Sequence, residues 1–300
     1  MDISCILCAL LFFIGNLLKL IFFGKERNRD FQWRKFTQLE PEAIQAEWDF
    51  RIEHKPRLLA IGIISSLAWF IFCFPMLQLV YVLNRSRNGP GTISRSLWLH
   101  AGILILVLGG AFLEWIAFFL YMGSTLACEM MVDSFNLSDW DIKDSGNDNV
   151  GLRTLEVAYF AIRGMKFWVD AFEWIALSVI MIFTYLAVLR HRKAETDSAF
   201  GGVWNTIGLF IGFLSILDFV TEILRTVNFR LFSQLAFWYG TANRLVLLPT
   251  WLVLLGWRLP YAIVKLEQDK EVANRHPEDQ QQNLLMTTTI DENPVIVEGL

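Results

Sequence analysis

Six apolar runs, each about as long as a bilayer core is thick, constrain this chain more than any other feature of its sequence. A helix rises ~1.5 Å per residue, so ~20 apolar residues cross the ~30 Å hydrocarbon core. Backbone groups in lipid must be satisfied internally, and a helix does this within one segment. We therefore predict an all-α polytopic integral membrane protein, a six-helix transmembrane bundle with spans at about 4–23, 58–83, 97–122, 165–189, 201–224 and 236–262.

The composition agrees with a membrane protein and excludes one class of partner. Hydrophobic residues make up 54% and charged residues 19% of the chain, whereas a soluble domain has about 45–50% apolar and about 25% charged residues. The formal net charge is −4, and no basic cluster is interleaved with aromatic residues as in nucleic-acid-binding surfaces. We therefore expect the lipid bilayer as a partner, and no nucleic acid.

The two ends of the chain carry separate predictions. The run 4–23 lacks the basic start and the small-residue cleavage site of a signal peptide. We predict that it is a retained span; the bundle has five helices if it does not span. After Lys265 the sequence turns polar, which is typical of segments that bury no core. Residues 1–265 are therefore predicted to form the transmembrane domain, and 266–300 a disordered cytoplasmic tail.

Basic residues in the short loops predict the orientation of the bundle. Loops 84–96 and 190–198 are rich in arginine, whereas 123–156 carries seven acidic and two basic residues. Because cytoplasmic loops hold the excess of Lys and Arg, both termini are predicted to be cytoplasmic, in the plasma membrane or an endomembrane. The sequon at Asn136 is then an external glycosylation site, although a second sequon at Asn84 favours the inverse orientation.

The connection between the first two runs, 24–57, has a pattern of its own. Pro41 is a typical first residue of a helix, and we predict a short helix on the membrane surface with Trp33 and Trp48 near the headgroups. The basic residues of this segment oppose the orientation given above.

Carboxylates inside the predicted spans are the residues most informative about function. A charge at the centre of a span costs roughly 2.5–3.5 kcal/mol, and such residues usually face the bundle interior. Because the spans alternate in direction, the acids fall in one membrane layer, with Arg244 beside them and Arg163 and Lys166 at the adjacent end of the fourth span. The acids are Glu114, Asp170, Glu173, Asp218 and Glu222.

Helical spacing arranges these charges as stripes. Asp170 and Glu173 are three residues apart, and Asp218 and Glu222 are four apart, so each pair shares one helix face. Carboxylates close together in low dielectric cannot all stay charged. We therefore favour a channel or transporter for a cation or proton that uses this cluster. The alternative is a non-catalytic membrane scaffold or assembly protein whose buried charges are structural salt bridges.

The tetrapeptide EWIA occurs twice, at 114–117 and at 173–176. Outside these four residues the two runs share little, so the repeat gives weak support for a duplicated helix. A physical interpretation is that each Trp lines the apolar side of a polar seam, and coincidence in a chain with 12 Trp residues is the alternative.

Signals for an enzyme or a metal site are weak. The four His residues form no HxxxH or HExxH motif, and Cys5 and Cys8 have no second pair to complete a zinc site. The sequence therefore predicts no cofactor and no metal site, and does not favour an enzyme. Protein partners are predicted to bind the acidic loop 123–156 or the C-terminal tail.

Overall fold

The computed structural model describes residues 1–23, 48–84, 97–134, 150–194, 200–225 and 228–275. Within these ranges nearly every residue is helical and no strand occurs. In chain order the helices are α1 (Ile3–Phe23), α2 (Lys55–Asn84), α3 (Leu97–Ser134), α4 (Val150–Ala194), α5 (Gly202–Leu224), α6 (Phe229–Thr241) and α7 (Leu248–Arg275). A π-helical segment, Ala242–Leu247, joins α6 to α7.

Six helical stretches in the described part of the chain are long and apolar enough to cross a membrane. They are α1 to α5 and the continuous stretch formed by α6, the π segment and α7. The predicted all-α six-helix bundle is confirmed, and the first apolar run is one of its six helices.

The helices α3 and α4 are longer than the apolar runs that they contain. α3 has 38 residues and ends at Ser134, and α4 has 45 residues and begins at Val150. The segment 123–156 is therefore helical at both of its ends and is not a loop throughout. Hydropathy marks only the part of a helix that lies in lipid, so it does not predict a polar extension. Residues 135–149, which include Asn136, lie outside the described residues.

One other predicted boundary shifts for the same reason. α7 continues to Arg275, so the first ten residues of the predicted tail are helical, and 276–300 lie outside the described part. Residues 48–53 are helical, which agrees with the end of the helix predicted after Pro41. Residues 24–47 lie outside the described ranges.

The helices close into a ring through contacts between neighbours. Packing contacts join α1 to α2, α2 to α3, α3 to α4, α4 to α5 and α5 to α6, and α7 returns to α1. Cys8 Sγ donates to the carbonyl of Ala68 at 3.4 Å, which gives the register of α1 against α2. The backbone N–H of Asp2 donates to the carbonyl of Gly256 at 2.8 Å, which anchors the start of α1 on α7.

Asp2 also caps the first turn of α1. Its Oδ1 accepts hydrogen bonds from the backbone N–H of Cys5 at 3.0 Å and from the hydroxyl of Ser4. Burial alone would raise the pKa of Asp2, but these hydrogen bonds outweigh it and hold the pKa below its ordinary value. The cap satisfies helix N–H groups that have no partner within the helix.

An apolar layer fills the bundle between its centre and the end at which α1 begins. The indole rings of Trp204 and Trp251 stack with centroids 4.8 Å apart, and Trp204 Nε1 donates to the carbonyl of Trp251 at 3.1 Å. Gly208 makes room for this stack, because a Cβ there would lie 2.9 Å from Trp251 Nε1. We define the apolar layer by its fully buried members Leu177, Ile180, Trp204, Ile211 and Trp251.

Polar contacts join the helices at the opposite end of the bundle. Arg51 Nη1 donates to Ser124 Oγ at 2.7 Å, and its guanidinium carbon lies 4.7 Å from the ring centroid of Tyr121. Lys55 Nζ lies 2.6 Å from a carboxylate oxygen of Glu129. These contacts fix the extension of α3, which is anchored by residues that precede or begin α2.

The close approach of α1 to α7 gives a first prediction. A Cβ at Gly256 would lie 2.8 Å from Cys5 Cβ, so Gly256→Ala should push the two helices apart. We expect the free energy of unfolding to fall by about 1–3 kcal/mol, measured by thermal or denaturant unfolding in detergent.

Gly109→Ala is the matched control, because a Cβ at Gly109 meets nothing within 4 Å. This change should leave stability unchanged or raise it by up to about 1 kcal/mol, since alanine favours helices over glycine. Equal stability of the two variants would contradict the packing of α1 on α7.

Candidate functional site

Five charged side chains from five elements meet at the centre of the bundle, and we call them the central cluster. Three carboxyl groups belong to it, and all three are buried, with exposed fractions of 7% for Glu114, 1% for Glu173 and 0% for Asp218. Two basic groups, Lys19 of α1 and Arg244 of the π segment, interact electrostatically with these acids. Each transmembrane helix except α2 therefore contributes one charge.

The closest ion pair of the central cluster joins α4 to the π segment. Arg244 Nη2 lies 2.8 Å from Glu173 Oε1. The guanidinium carbon of Arg244 also lies 4.0 Å from the ring centroid of Trp174, the residue that follows Glu173. The guanidinium is thus held by charge on one side and by an aromatic face on the other, and both contacts strengthen where water is absent.

The two glutamates of the EWIA repeat meet in this cluster. The carboxyl groups of Glu114 and Glu173 are close enough to share a hydrogen bond. Lys19 interacts with both carboxylates, and its interaction with Glu114 is the stronger. The tryptophans of the repeat have different surroundings, because Trp115 packs against Phe118 with ring centroids 6.0 Å apart, whereas Trp174 lies under Arg244. The two glutamates of the repeat therefore share one environment, whereas the two tryptophans do not.

Asp218 differs from Glu173 in having no close ion-pair partner among the described residues. Neither of its carboxylate oxygens has a close hydrogen-bond donor among the described residues, and the Asn243 side chain interacts with it only weakly. Arg244 attracts it electrostatically, and Glu222, one turn further along α5, repels it. A carboxyl group buried without a close hydrogen bond is costly, so the polar contacts of Asp218 do not offset the cost of burying it.

The π segment sets the positions of two neighbouring polar residues. Asn243 is fully buried and faces α5, where its Nδ2 donates to Ser215 Oγ at 2.8 Å and to the carbonyl of Ile211 at 3.4 Å. The next residue, Arg244, faces Glu173 of α4. π turns are rare and are frequently found at functional sites. Here one such turn connects the polar residues of two helices.

The remaining predicted acids pair locally and lie towards the polar end of the bundle. Asp170 forms an ion pair with Lys166, one turn earlier on α4. Glu222 Oε2 lies 2.6 Å from Arg225 Nη1, and Arg225 Nε donates to Ser233 Oγ at 2.9 Å. These two pairs are neutral by themselves. Of the other predicted site residues, the side chain of Arg163 and the whole of Asn136 lie outside the described part.

Sequence reasoning missed two members of the site. Lys19 is the only charged residue in its apolar run, and it lies in the same half of the membrane as the acids. Its position along the run therefore indicates that it could reach them. Asn243 is uncharged and adjoins the predicted Arg244, and only its burial distinguishes it from other polar residues.

Metal-binding groups are sparse in this part of the molecule. No group of three or more His, Cys, Asp or Glu side chains within the described ranges is placed to hold a metal ion.

Comparison of the chain with protein-family models, with curated proteins and with solved structures gives no match. The function proposed below therefore rests on the residues of the central cluster.

The Glu173–Arg244 pair gives a second prediction. Removing one partner leaves the other buried without its countercharge, so Glu173→Gln or Arg244→Gln should each lower the free energy of unfolding by about 3–5 kcal/mol. Because the two residues interact directly, the double variant should cost less than the sum, with a coupling of about 0.5–3 kcal/mol. Unfolding in detergent measures all four states of the cycle.

The same cycle at Lys166 and Asp170 is the control. This pair is more exposed, with 27% and 22% of the side chains accessible, so its coupling should be about 0–1 kcal/mol. A coupling at Glu173 and Arg244 no larger than this would contradict their role as the central ion pair.

Proposed function

We propose that this protein moves protons or monovalent cations across its membrane, and that the central cluster is the binding station. The supporting observation is a charge imbalance. Three buried acids, Glu114, Glu173 and Asp218, face two bases, Lys19 and Arg244. Counted with their ordinary charges, these groups sum to −1. Because an uncompensated charge in low dielectric is very costly, the cluster requires one more positive charge, either a proton or a bound cation.

The surroundings of the central cluster favour a transporter over an open channel. Towards the polar end, the charged groups continue through the Lys166–Asp170 and Glu222–Arg225 pairs. Towards the end at which α1 begins, the fully buried apolar layer lies next to the cluster. An ion that reaches the cluster from the polar end meets this layer, so passage requires a conformational change, as in alternating access.

A scaffold or assembly protein is the second candidate, and a specific observation favours it. The ion pairs Lys55–Glu129, Lys166–Asp170 and Glu222–Arg225 each join groups of opposite charge without leaving a net charge. Lys55–Glu129 joins α2 to α3, and the other two pairs neutralise charges within α4 and within α5, so all three have a structural role that needs no transport. The two candidates differ in the role of Asp218, which has no such partner.

The orientation and the surfaces for partners are part of the same proposal. We place both termini in the cytoplasm, because arginine-rich loops flank the acidic segment 123–156. The protein then lies in the plasma membrane or an endomembrane and is glycosylated at Asn136. That segment and the tail beyond Arg275 are the proposed surfaces for protein partners.

Ion flux tests the proposed function directly. Wild-type protein in liposomes should dissipate an imposed pH or cation gradient faster than empty liposomes, followed with a trapped pH-sensitive dye and with ion-selective electrodes. Asp218→Asn removes the unpaired carboxylate, and we expect flux to fall at least about tenfold, the equivalent of ~1.4 kcal/mol in a rate barrier.

Glu53→Gln is the matched control for this experiment, because the Glu53 side chain is 77% exposed and lies outside the central cluster. Its flux should equal that of the wild type. Folded wild-type protein that gives no flux above the empty liposomes would overturn the transport proposal and leave the scaffold as the function.

Glycosylation mapping tests the orientation. In a host that glycosylates, Asn136→Gln should abolish the mass shift that a glycosidase removes, and Asn84→Gln should leave it unchanged. The opposite result would invert the bundle, because Asn84 and Asn136 lie at opposite ends of the predicted topology.

A further inference from the structure

We infer that the end of the bundle at which α1 begins carries a docking surface for lipids with a net negative headgroup. Arg192 and Arg258 are its charged groups, and Trp257 and Tyr261 are the aromatic rings beside them; together they are called the lipid-docking surface. The inference goes beyond the proposed function and does not depend on ion transport, because it uses no residue of the central cluster.

Two arginines from different helices meet at the start of α5. A Cβ at Gly201 would lie 2.5 Å from Nη1 and 3.1 Å from Nη2 of Arg258, which belongs to α7. A Cβ at Gly202 would lie 3.5 Å from Nη1 of Arg192, near the end of α4. Consecutive Cα atoms are ~3.8 Å apart, so both guanidinium groups lie against the same short stretch of backbone. Like charges placed this close repel each other, and an anion between or beside them offsets that repulsion.

The described charges are balanced at one end of the bundle and unbalanced at the other. At the end opposite to the start of α1, five basic side chains are matched by five acidic ones, among them the three ion pairs described above. At the end at which α1 begins, basic side chains outnumber acidic ones, and Asp2 is already engaged as the cap of α1. The basic side chains described there are Arg190, Arg192, Arg258 and Lys265, and the acidic ones are Asp2 and Glu267.

Exposed aromatic rings place the arginines at the level of the lipid headgroups. Trp257 and Tyr261 are 71% and 61% exposed and lie four residues apart, on one face of α7. The exposed Trp238 precedes Trp257 by 19 residues in the same continuous helical stretch, which is about 28 Å at ~1.5 Å per residue. This distance is close to the ~30 Å of the hydrocarbon core, and Trp favours the two interfaces of that core. Arg258, which adjoins Trp257, therefore lies where lipid phosphates lie.

The chemistry of the two groups selects an anionic headgroup. A guanidinium presents two parallel N–H donors that match two oxygens of a phosphate. Basic pockets between transmembrane helices on the cytoplasmic side bind anionic headgroups in this way, and this end is the one that we place in the cytoplasm. The phosphate of phosphatidylcholine is offset by the ammonium of the same lipid. Phosphatidylglycerol has no such offset, so the lipid-docking surface should favour it.

The test uses the full chain purified in detergent and titrated with phosphatidylglycerol or with phosphatidylcholine of the same acyl chains. We expect phosphatidylglycerol to raise Tm at lower concentration, because a ligand that binds the folded state stabilises it. Salt should reduce this preference, since it screens charges at an exposed surface. Equal responses to the two lipids would overturn the inference and indicate that the acids of 193–199, which lie outside the described residues, neutralise the arginines.

Soluble glycerol phosphate separates a lipid surface from a site for free phosphate. It carries the same anionic group without acyl chains, so it should not raise Tm at the concentrations at which phosphatidylglycerol does. An equal response to glycerol phosphate would overturn the lipid as the ligand and indicate a site for a free phosphate.

Variants locate the lipid-docking surface. Arg192→Gln and Arg258→Gln should each lower the preference for phosphatidylglycerol about fivefold, the contribution of one basic side chain near an anionic surface. Gly201→Ala keeps every charge but displaces the guanidinium of Arg258, so it should lower the preference to a smaller extent. A preference that persists unchanged in folded Arg192→Gln and Gly201→Ala would overturn the assignment. Because Arg192 is exposed, its variant decides if Arg258→Gln does not fold.

Arg57→Gln is the matched control. Arg57 is also exposed, but it lies at the opposite end of the bundle, with its guanidinium carbon 5.3 Å from the ring centroid of Phe22. The lipid preference of this variant should equal that of the wild type. A loss as large as that in Arg192→Gln would show a general effect of surface charge and overturn the location.

Flux measurements on the same preparations keep this inference separate from the proposed function. A preference for phosphatidylglycerol in a protein that gives no flux would support the lipid-docking surface and overturn transport. Flux in a protein that does not distinguish the two lipids would overturn the lipid-docking surface alone.

Discussion

The ion pair between Glu173 and Arg244 is the interaction on which the centre of this bundle depends. Each of the two charges would be costly to bury alone, and pairing offsets that cost. The face of Trp174 holds the guanidinium in place. The pair still leaves Glu114 and Asp218 to be balanced, and Lys19 from α1 offsets only one of them. Helices α1, α3 and α5 each bring a charge to the same place as α4, so these charges constrain how the bundle packs. Polar groups of this kind act as specific contacts between helices in a medium where apolar contacts select little.

Consecutive residues of the π segment contact two different helices. Asn243 reaches the polar residues of α5, and Arg244 reaches the acid of α4. A wider turn changes the angular spacing of side chains relative to an α-helix, so a return to regular α-helix would redirect one of these residues. The contacts with Glu173 and with Ser215 are thus coupled through the backbone. Any change in the charge of Asp218 acts on the same segment, since Arg244 interacts electrostatically with both Asp218 and Glu173.

Much of the fold can be predicted from the sequence, because lipid imposes both helical structure and a length. The six spans follow from hydropathy, and the alternation of their directions is enough to place Glu114, Glu173, Asp218 and Arg244 near one another. Alternation does not say which charges pair, and the structure divides the predicted acids into a central cluster and two local pairs. Lys19 is hard to predict because a lysine near the end of a span usually extends to the interface. The π turn has no residue signature, and the polar extensions of α3 and α4 have no hydropathy signal.

The length of α4 has a mechanical consequence. Val150, at its start, is 23 residues from Glu173, which corresponds to about 35 Å along the helix at ~1.5 Å per residue. If the helix tilted as a rigid rod about the ion pair, its start would move like the end of a lever. A tilt of about 10° at Glu173 would carry the tip of the rod by about 6 Å, because displacement is the product of angle and length. With such a tilt, a small rearrangement of charge in the interior of the bundle would be magnified at the surface of the molecule, where a binding partner or a probe can detect it.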